Sequence, residues 1–133
     1  MKEVIEFLYA NPMGSLATVE GGKPRVRPWG FMLEQGGKLW FCTANNKDVY
    51  RQLQKNPAIE FCTTSKAMVT VRVRGEAIFS SDLAMKNAIL EHSPLVKSIY
   101  KSPDNPVFEI FCLEHGQAVM SDFSGQPPRA CAF

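Results

Sequence analysis

The sequence predicts a mostly-β, α+β fold: an antiparallel barrel of six or seven strands with a few short helices. Three observations carry this expectation. Short runs of β-branched and aromatic residues recur along the chain, separated by turns rich in Gly, Pro and Asn. The helical stretches are too few, and placed wrongly, for a doubly wound parallel sheet. Closing a barrel also removes the edges that so many short strands would otherwise expose. The 133 residues fit one domain spanning 1–133, with no linker, internal repeat or low-complexity stretch.

The elements follow in order. Lys2 to Ala10 reads as a short helix with Val4, Ile5, Phe7 and Leu8 on one face, stopped by Asn11-Pro12. Met13 to Val19 reads as a strand, Glu20-Gly21-Gly22-Lys23 as a hairpin turn, and Pro24 to Glu34 as one long strand. After the turn Gln35-Gly36-Gly37, Lys38 to Thr43 is a continuously apolar return strand. Asn46 is the expected N-cap of a helix over Lys47 to Lys55, which Asn56-Pro57 ends. Strands are expected over Ala58 to Thr64 and Met68 to Phe79, with Gly75 at a bulge or tight-packing position. Ser81-Asp82 caps a helix to about Glu91, and Ser93-Pro94 starts a shorter one ending near Tyr100. Val107 to Leu113 and Gln117 to Phe123 read as a final hairpin, followed by an irregular tail from Gly125 to Arg129.

Composition narrows the function. The formal charge of +2 and a pI near 8.4 are too mild to argue for a nucleic-acid or membrane partner. The N-terminal stretch carries charges among its apolar residues, unlike a signal peptide, and no run approaches the length of a membrane span, so a cytoplasmic location is expected. Cys42, Cys62, Cys112 and Cys131 include no C-x-x-C pair, so free thiols are expected and no metal site. Neither a G-x-G-x-x-G stretch nor a Walker loop occurs.

The most informative segment is Lys23 to Lys55. Strand alternation puts Arg25, Arg27, Trp29 and Phe31 on one face and Val26, Pro28, Gly30 and Met32 on the other. Two arginines followed by two aromatics suit a ligand with an anionic end and a flat ring. The same pattern also fits a solvated strand face whose aromatics meet a helix. Pro28 removes a ladder donor and belongs at an edge, a bulge or an opening. At the junction Phe41-Cys42-Thr43-Ala44-Asn45-Asn46-Lys47, a helix N-terminus offers free amides and the positive end of its dipole, a natural phosphate site. Lys47 in the first turn opposes that dipole, a conflict that a bound anion would resolve. Asn46 and Thr43 could add donors.

The ordered combination Arg25-Val26-Arg27-Pro28, Gly36-Gly37, Leu39-Trp40-Phe41-Cys42-Thr43, Asn46-Lys47, Leu53, Asn56-Pro57 and Ile59-Glu60-Phe61 resembles the pyridoxamine 5′-phosphate oxidase-like family of FMN-binding split β-barrels. The motifs cover about the second quarter of the chain; strand order and turn placement extend over most of it. The resemblance implies that Arg27, with Arg25, reaches the FMN phosphate from the strand while Lys47 and Asn46 close on it from the helix start. It implies that backbone groups of Phe41-Cys42-Thr43 lie along the isoalloxazine edge, with the Thr43 hydroxyl as a further donor. Val26, Pro28 and Trp29 would line the ribityl and ring region. It further implies a homodimer with two FMN sites at the interface and a small-molecule substrate. The tail, with Arg129 as its only arginine, is unlike the basic C-terminal segment of the full-length oxidases. The expected activity is therefore that of the short members, among them nitroimidazole-resistance reductases, rather than pyridoxamine-phosphate oxidation.

No side chain stands out as a catalytic acid or base: His92 and His115 read as ordinary surface histidines, and no carboxylates pair convincingly. The first reading is an FMN-dependent oxidoreductase acting on a nitroaromatic, a quinone or a similar small molecule. A non-catalytic FMN-binding or electron-transfer protein is the alternative within the same fold. Haem or a deazaflavin in the same groove is a third. A single-stranded nucleic-acid barrel, with Arg25, Arg27, Trp29, Phe31, Arg72 and Arg74 as a basic stacking face, is a fourth.

Overall fold

The computed structural model describes all 133 residues, Met1–Phe133. Helix α1 (Lys2–Ala10) leads into strands β1 (Met13–Glu20), β2 (Lys23–Gly30), β3 (Leu33–Gln35) and β4 (Lys38–Ala44). Helix α2 (Asp48–Lys55) precedes β5 (Ala58–Thr64), β6 (Thr70–Glu76) and β7 (Ile78–Ser80). Helices α3 (Leu83–His92) and α4 (Pro94–Tyr100) are followed by β8 (Phe108–Leu113), β9 (Gly116–Ser121) and β10 (Arg129–Ala132). No helix is long and apolar enough to cross a membrane.

The strands form two antiparallel sheets. One has six strands in the order β10-β9-β6-β5-β1-β2; the other has four, β3-β4-β8-β7. Their ladders do not join, so the barrel is split rather than closed. The expected mostly-β architecture holds, but seven expected strands become ten. The stretch Pro24 to Glu34 divides where Phe31 and Met32 turn a corner, the Phe31 amide bonding to the Pro12 carbonyl (2.8 Å) and the Met32 amide to that of Trp40 (3.0 Å). Met68 to Phe79 divides at Ala77, whose amide bonds to the Pro57 carbonyl (2.8 Å). The expected final hairpin is corrected too: β8 pairs with β4 and β7, and β9 with β6 and β10, so the two strands lie in different sheets. The tail is not wholly irregular, because Arg129–Ala132 pairs with β9 along its far side.

Burial explains the two kinds of strand sequence. The six-stranded sheet has one face on the core and one open, so β5 and β6 alternate buried with exposed residues. The four-stranded sheet is covered on both faces. Leu39, Phe41, Phe111 and Leu113 join Leu16, Phe61, Val71 and Val73 between the sheets, closed by Val4 and Leu8 of α1 and Val49 and Leu53 of α2. On the far side, Trp40, Cys42, Ile110 and Cys112 pack against Met85, Ile89 and Leu90 of α3 and Val96 and Tyr100 of α4. Strands β4 and β8 therefore read as unbroken apolar runs. The Asp82 carboxylate accepts from the amides of Ala84 (2.9 Å) and Met85 (3.4 Å), capping α3 as expected; the Ser93 hydroxyl does the same for α4 through Val96 (3.3 Å).

Two glycines mark close approaches. Gly75 lies in regular register between Ile59 and Gly116, and a Cβ there would sit 2.5 Å from the His115 carbonyl oxygen. It is thus a tight-packing position, not a bulge. At Gly14 a Cβ would come within 2.2 Å of the Cys62 carbonyl oxygen and 2.9 Å of the Phe61 ring. Gly14→Ala is accordingly expected to destabilise the protein by about 1–3 kcal/mol through forced backbone shift, read as a lower urea midpoint; an unchanged midpoint would show that β1 and β5 can separate without cost.

Candidate functional site

Strand β2 is an edge strand, which accommodates Pro24 and Pro28. Its register with β1 sets the direction of each side chain. Arg25, Arg27 and Trp29 pair with Thr18, Leu16 and Gly14, the inward-facing phase of β1. They therefore face the α2 side. Val26 and Pro28 pair with Ala17 and Ser15 and project from the open face, where Val26 is 70% exposed. Arg72 lies opposite Cys62, and Arg74 opposite Glu60, on that same open face. Phe31 is buried in the core. The six residues considered for a nucleic-acid stacking surface thus do not share a face.

Two cavities meet at Trp29 and Lys47. The first, about 600 Å³, is polar and is lined by Glu20, Arg25, Val26, Arg27, Trp29, Lys47, Asp48, Val49 and Gln52. The second, about 250 Å³, is mainly apolar, with Met13, Pro28, Trp29, Gly30, Met32, Cys42 and Lys47 facing Ser93, Leu95, Val96, Ile99 and Tyr100 of the α3–α4 corner. The Lys47 ammonium stands over the Trp29 ring, 5.6 Å from its centroid, at the junction.

Charge pairing separates the cations of the polar cavity. Arg25 Nε bonds to Glu20 (3.3 Å), and Arg51 reaches in from the rim to bond both Glu20 (3.5 Å) and Asp48 (2.9 Å). These contacts hold the Glu20 carboxyl below its usual range. Arg27 and Lys47 have no carboxylate partner. Arg27 is half-buried; its guanidinium donates to the Leu16 carbonyl (3.2 Å), to Thr18 Oγ1 (2.8 Å) and to Gln52 Oε1 (2.6 Å). Burial lowers its pKa, and the nearby charges of Asp48 and Glu20 oppose that shift.

Helix α2 begins one residue later than expected. Lys47, not Asn46, holds the N-cap position, in an extended conformation (φ −94°, ψ 152°), and no side chain caps the helix. The reason is the turn Ala44–Lys47, closed by the Lys47 amide on the Ala44 carbonyl (3.1 Å), which leaves Asn46 exposed. It is Asn45 that is tied down, donating to the Pro106 carbonyl (2.7 Å) and Glu109 (3.1 Å). The uncapped first-turn amides keep their donors.

Of the ten residues singled out in the sequence, Arg25, Val26, Arg27, Pro28, Trp29, Cys42 and Lys47 line one cavity or the other. Phe41, Thr43 and Asn46 line neither. Phe41 belongs to the core between the sheets, and Thr43, two residues on, is 1% exposed with a hydroxyl that has no partner. Burial pushes the Cys42 thiol up to about 12 despite the pull of Lys47, so it stays a neutral, weakly nucleophilic wall of the apolar cavity. Burial likewise raises the Tyr100 hydroxyl. Sequence reasoning missed Thr18, Glu20 and Gln52, and, although it anticipated α4, not that this helix walls the apolar cavity. One signal was present: Gln52 falls beside Val49 and Leu53 on the buried face of α2, and a glutamine there needs a polar partner.

A polar, cationic cavity joined to an apolar one through an indole can take a ligand with an anionic end and a flat ring. No curated protein matches the chain. Among solved structures, a NimC/NimA family protein from Clostridium acetobutylicum superposes with a TM-score of 0.91 at 32% identity, over 100% of this chain and 92% of that one. A pyridoxamine 5′-phosphate oxidase-related, FMN-binding protein from Nostoc punctiforme (TM-score 0.71, 21% identity, 99% and 91% covered) shares the fold. So does a heme-binding protein from Mycobacterium smegmatis (0.79, 19%, 98% and 56%). With residues 1–118 matching the family of pyridoxamine 5′-phosphate oxidase, and the split barrel and its twin cavities in place, the chain belongs to the pyridoxamine 5′-phosphate oxidase family.

Proposed function

We propose that this chain is an FMN-binding flavoprotein that reduces a small molecule, working as a homodimer in the cytoplasm. The observation that carries the reading is that Arg27 and Lys47 are the two cations on the polar cavity without a carboxylate partner. A phosphate monoester carries about −1.5 to −2 at pH 7, a charge that two free cations match. The Nostoc relative, described as FMN-binding, supports the same ligand. Neither histidine lines either cavity, which favours flavin over a histidine-ligated haem.

Bound FMN would supply a ring able to take up and pass on electrons. The chain's own residues bind and orient. Arg27 and Lys47 would hold the phosphate, together with the free amides of the α2 first turn. Trp29 would separate the phosphate from the ring end, and Cys42, Met32 and Tyr100 would form an apolar wall. The apolar cavity is lined by no histidine or carboxylate, and the fitting substrates are electron acceptors such as nitroaromatics or quinones, whose protons can come from water.

The dimer reading rests on the open face of the six-stranded sheet. Val26 and Met13 are 70% and 66% exposed there, and Leu95 and Ile99 on α4 are 69% and 59% exposed at the rim of the apolar cavity. Exposed apolar side chains gathered along one edge of the fold are the kind of surface that an interface covers. A second copy would cover it and complete the cavity wall.

The purified protein is expected to show, or regain on adding FMN, a two-banded flavin spectrum that survives dialysis. Arg27→Ala and Lys47→Ala should each lose about 1.5–3 kcal/mol of FMN binding, roughly ten- to a hundredfold in Kd, with the apoprotein still folded by circular dichroism. A colourless protein that takes up no FMN, or two variants with wild-type affinity, refutes the reading. In sedimentation equilibrium the protein should run at twice the 14.9 kDa of one chain, and Val26→Asp, harmless on a free surface, should shift it toward monomer; a monomeric wild type removes the dimer.

A further inference from the structure

Arg27 differs from the other arginines around the polar cavity in what holds it. Arg25 and Arg51 are bound to carboxylates. Every protein group that bonds to Arg27 is neutral: a backbone carbonyl, a hydroxyl and an amide oxygen. Two of these come from side chains almost wholly removed from solvent, Thr18 at 2% and Gln52 at 4% exposure. They are bonded to each other, the Thr18 hydroxyl donating to Gln52 Oε1 over 2.6 Å. The Gln52 amide is thereby oriented, its oxygen accepting from both Thr18 and Arg27 while its Nε2 turns to Glu20 (3.5 Å).

We propose that the buried Thr18–Gln52 pair is a positioning device that presents one edge of the Arg27 guanidinium to a phosphate while leaving its charge intact. The inference deepens the FMN reading above and rests on it. A guanidinium has five N–H donors in a fixed plane. Leu16 and Thr18 take the two on Nη1, and Gln52 takes one on Nη2. The Nε–H and the second Nη2–H remain, the parallel pair that binds two oxygens of one phosphate. Carboxylates in place of Thr18 and Gln52 would hold the fork equally well but cancel the charge that attracts the anion. Neutral acceptors supply the orientation alone, and the burial of the pair on β1 and α2 locks it. A buried Thr and a buried Gln, each with its polar atoms satisfied by this arrangement, have no other evident reason to occupy positions between Leu16, Val49 and Leu53.

The test compares FMN with riboflavin, which has the same ring and no phosphate, by fluorescence titration of Thr18→Val, Thr18→Ser, Gln52→Leu and Arg27→Ala. Thr18→Val and Gln52→Leu are expected to weaken FMN about tenfold with riboflavin affinity unchanged, and Thr18→Ser, which keeps the hydroxyl, to restore wild-type binding. If Arg27→Ala lowers FMN affinity while Thr18→Val and Gln52→Leu do not, the positioning role is overturned and the phosphate assignment stands. Equal losses for FMN and riboflavin, or no rescue by Thr18→Ser, also overturn it, since they indicate a general packing effect. Wild-type FMN affinity in Arg27→Ala overturns the phosphate site and this inference together. Should Gln52→Leu fail to fold, the Thr18 pair of variants, differing in one buried hydroxyl, decides alone.

Discussion

The pairing of β1 with β2 is the constraint on which the site depends. Because side chains alternate along a strand, the register that sets Leu16 against Arg27 commits Arg25, Arg27 and Trp29 to the α2 side and Val26 and Pro28 to the opposite face. A slip of one residue would exchange the two sets, placing the arginines on the open face and valine over the helix. Leu16, fully buried, prevents that slip: its partner on the neighbouring strand is Phe61, also fully buried, so the register of β1 is anchored from the core. The cationic cavity is thus a by-product of a hydrophobic decision made one strand away.

The same logic explains what could be seen in the sequence. Period-two alternation in β5 and β6 was legible because those strands have one wet face. The unbroken apolar run of β4 was legible because its sheet is covered twice. Helix α3 was legible from Asp82, whose side chain caps it. The sheet changes at Phe31–Met32 and at Ala77 were not legible, because no residue type marks them: the backbone turns there to satisfy amides against Pro12, Trp40 and Pro57, partners far off in the chain. β10 was hidden for a related reason, since its four residues acquire a strand conformation only through β9.

In the candidate site, the cations and the indole were visible from alternation, whereas their division of labour was not. Which arginine is paired and which is free depends on Glu20 and Asp48, contributed by the end of β1 and the start of α2. Asn46 illustrates the opposite error. Its type suits a helix cap, yet the turn from Ala44 to Lys47 moved the helix start by one residue and left the cap position to lysine. Side-chain propensity lost there to a backbone hydrogen bond. The unpartnered Thr43 hydroxyl shows the same limit, because alternation places it toward the interior while only the packed structure reveals that nothing answers it.

The division of strands between the sheets also bears on how the chain acquires its structure during synthesis. The four-stranded sheet needs β8 beside β4, and the six-stranded sheet needs β9 beside β6, so each waits for a strand from the last quarter of the chain. Such non-local pairings place folding in the slower range, of order milliseconds to seconds. Until β8 has left the ribosome, the run Leu39–Ala44 has only β3 as a strand partner. At about 5–20 residues per second, that run waits for several seconds as an apolar, half-paired ribbon.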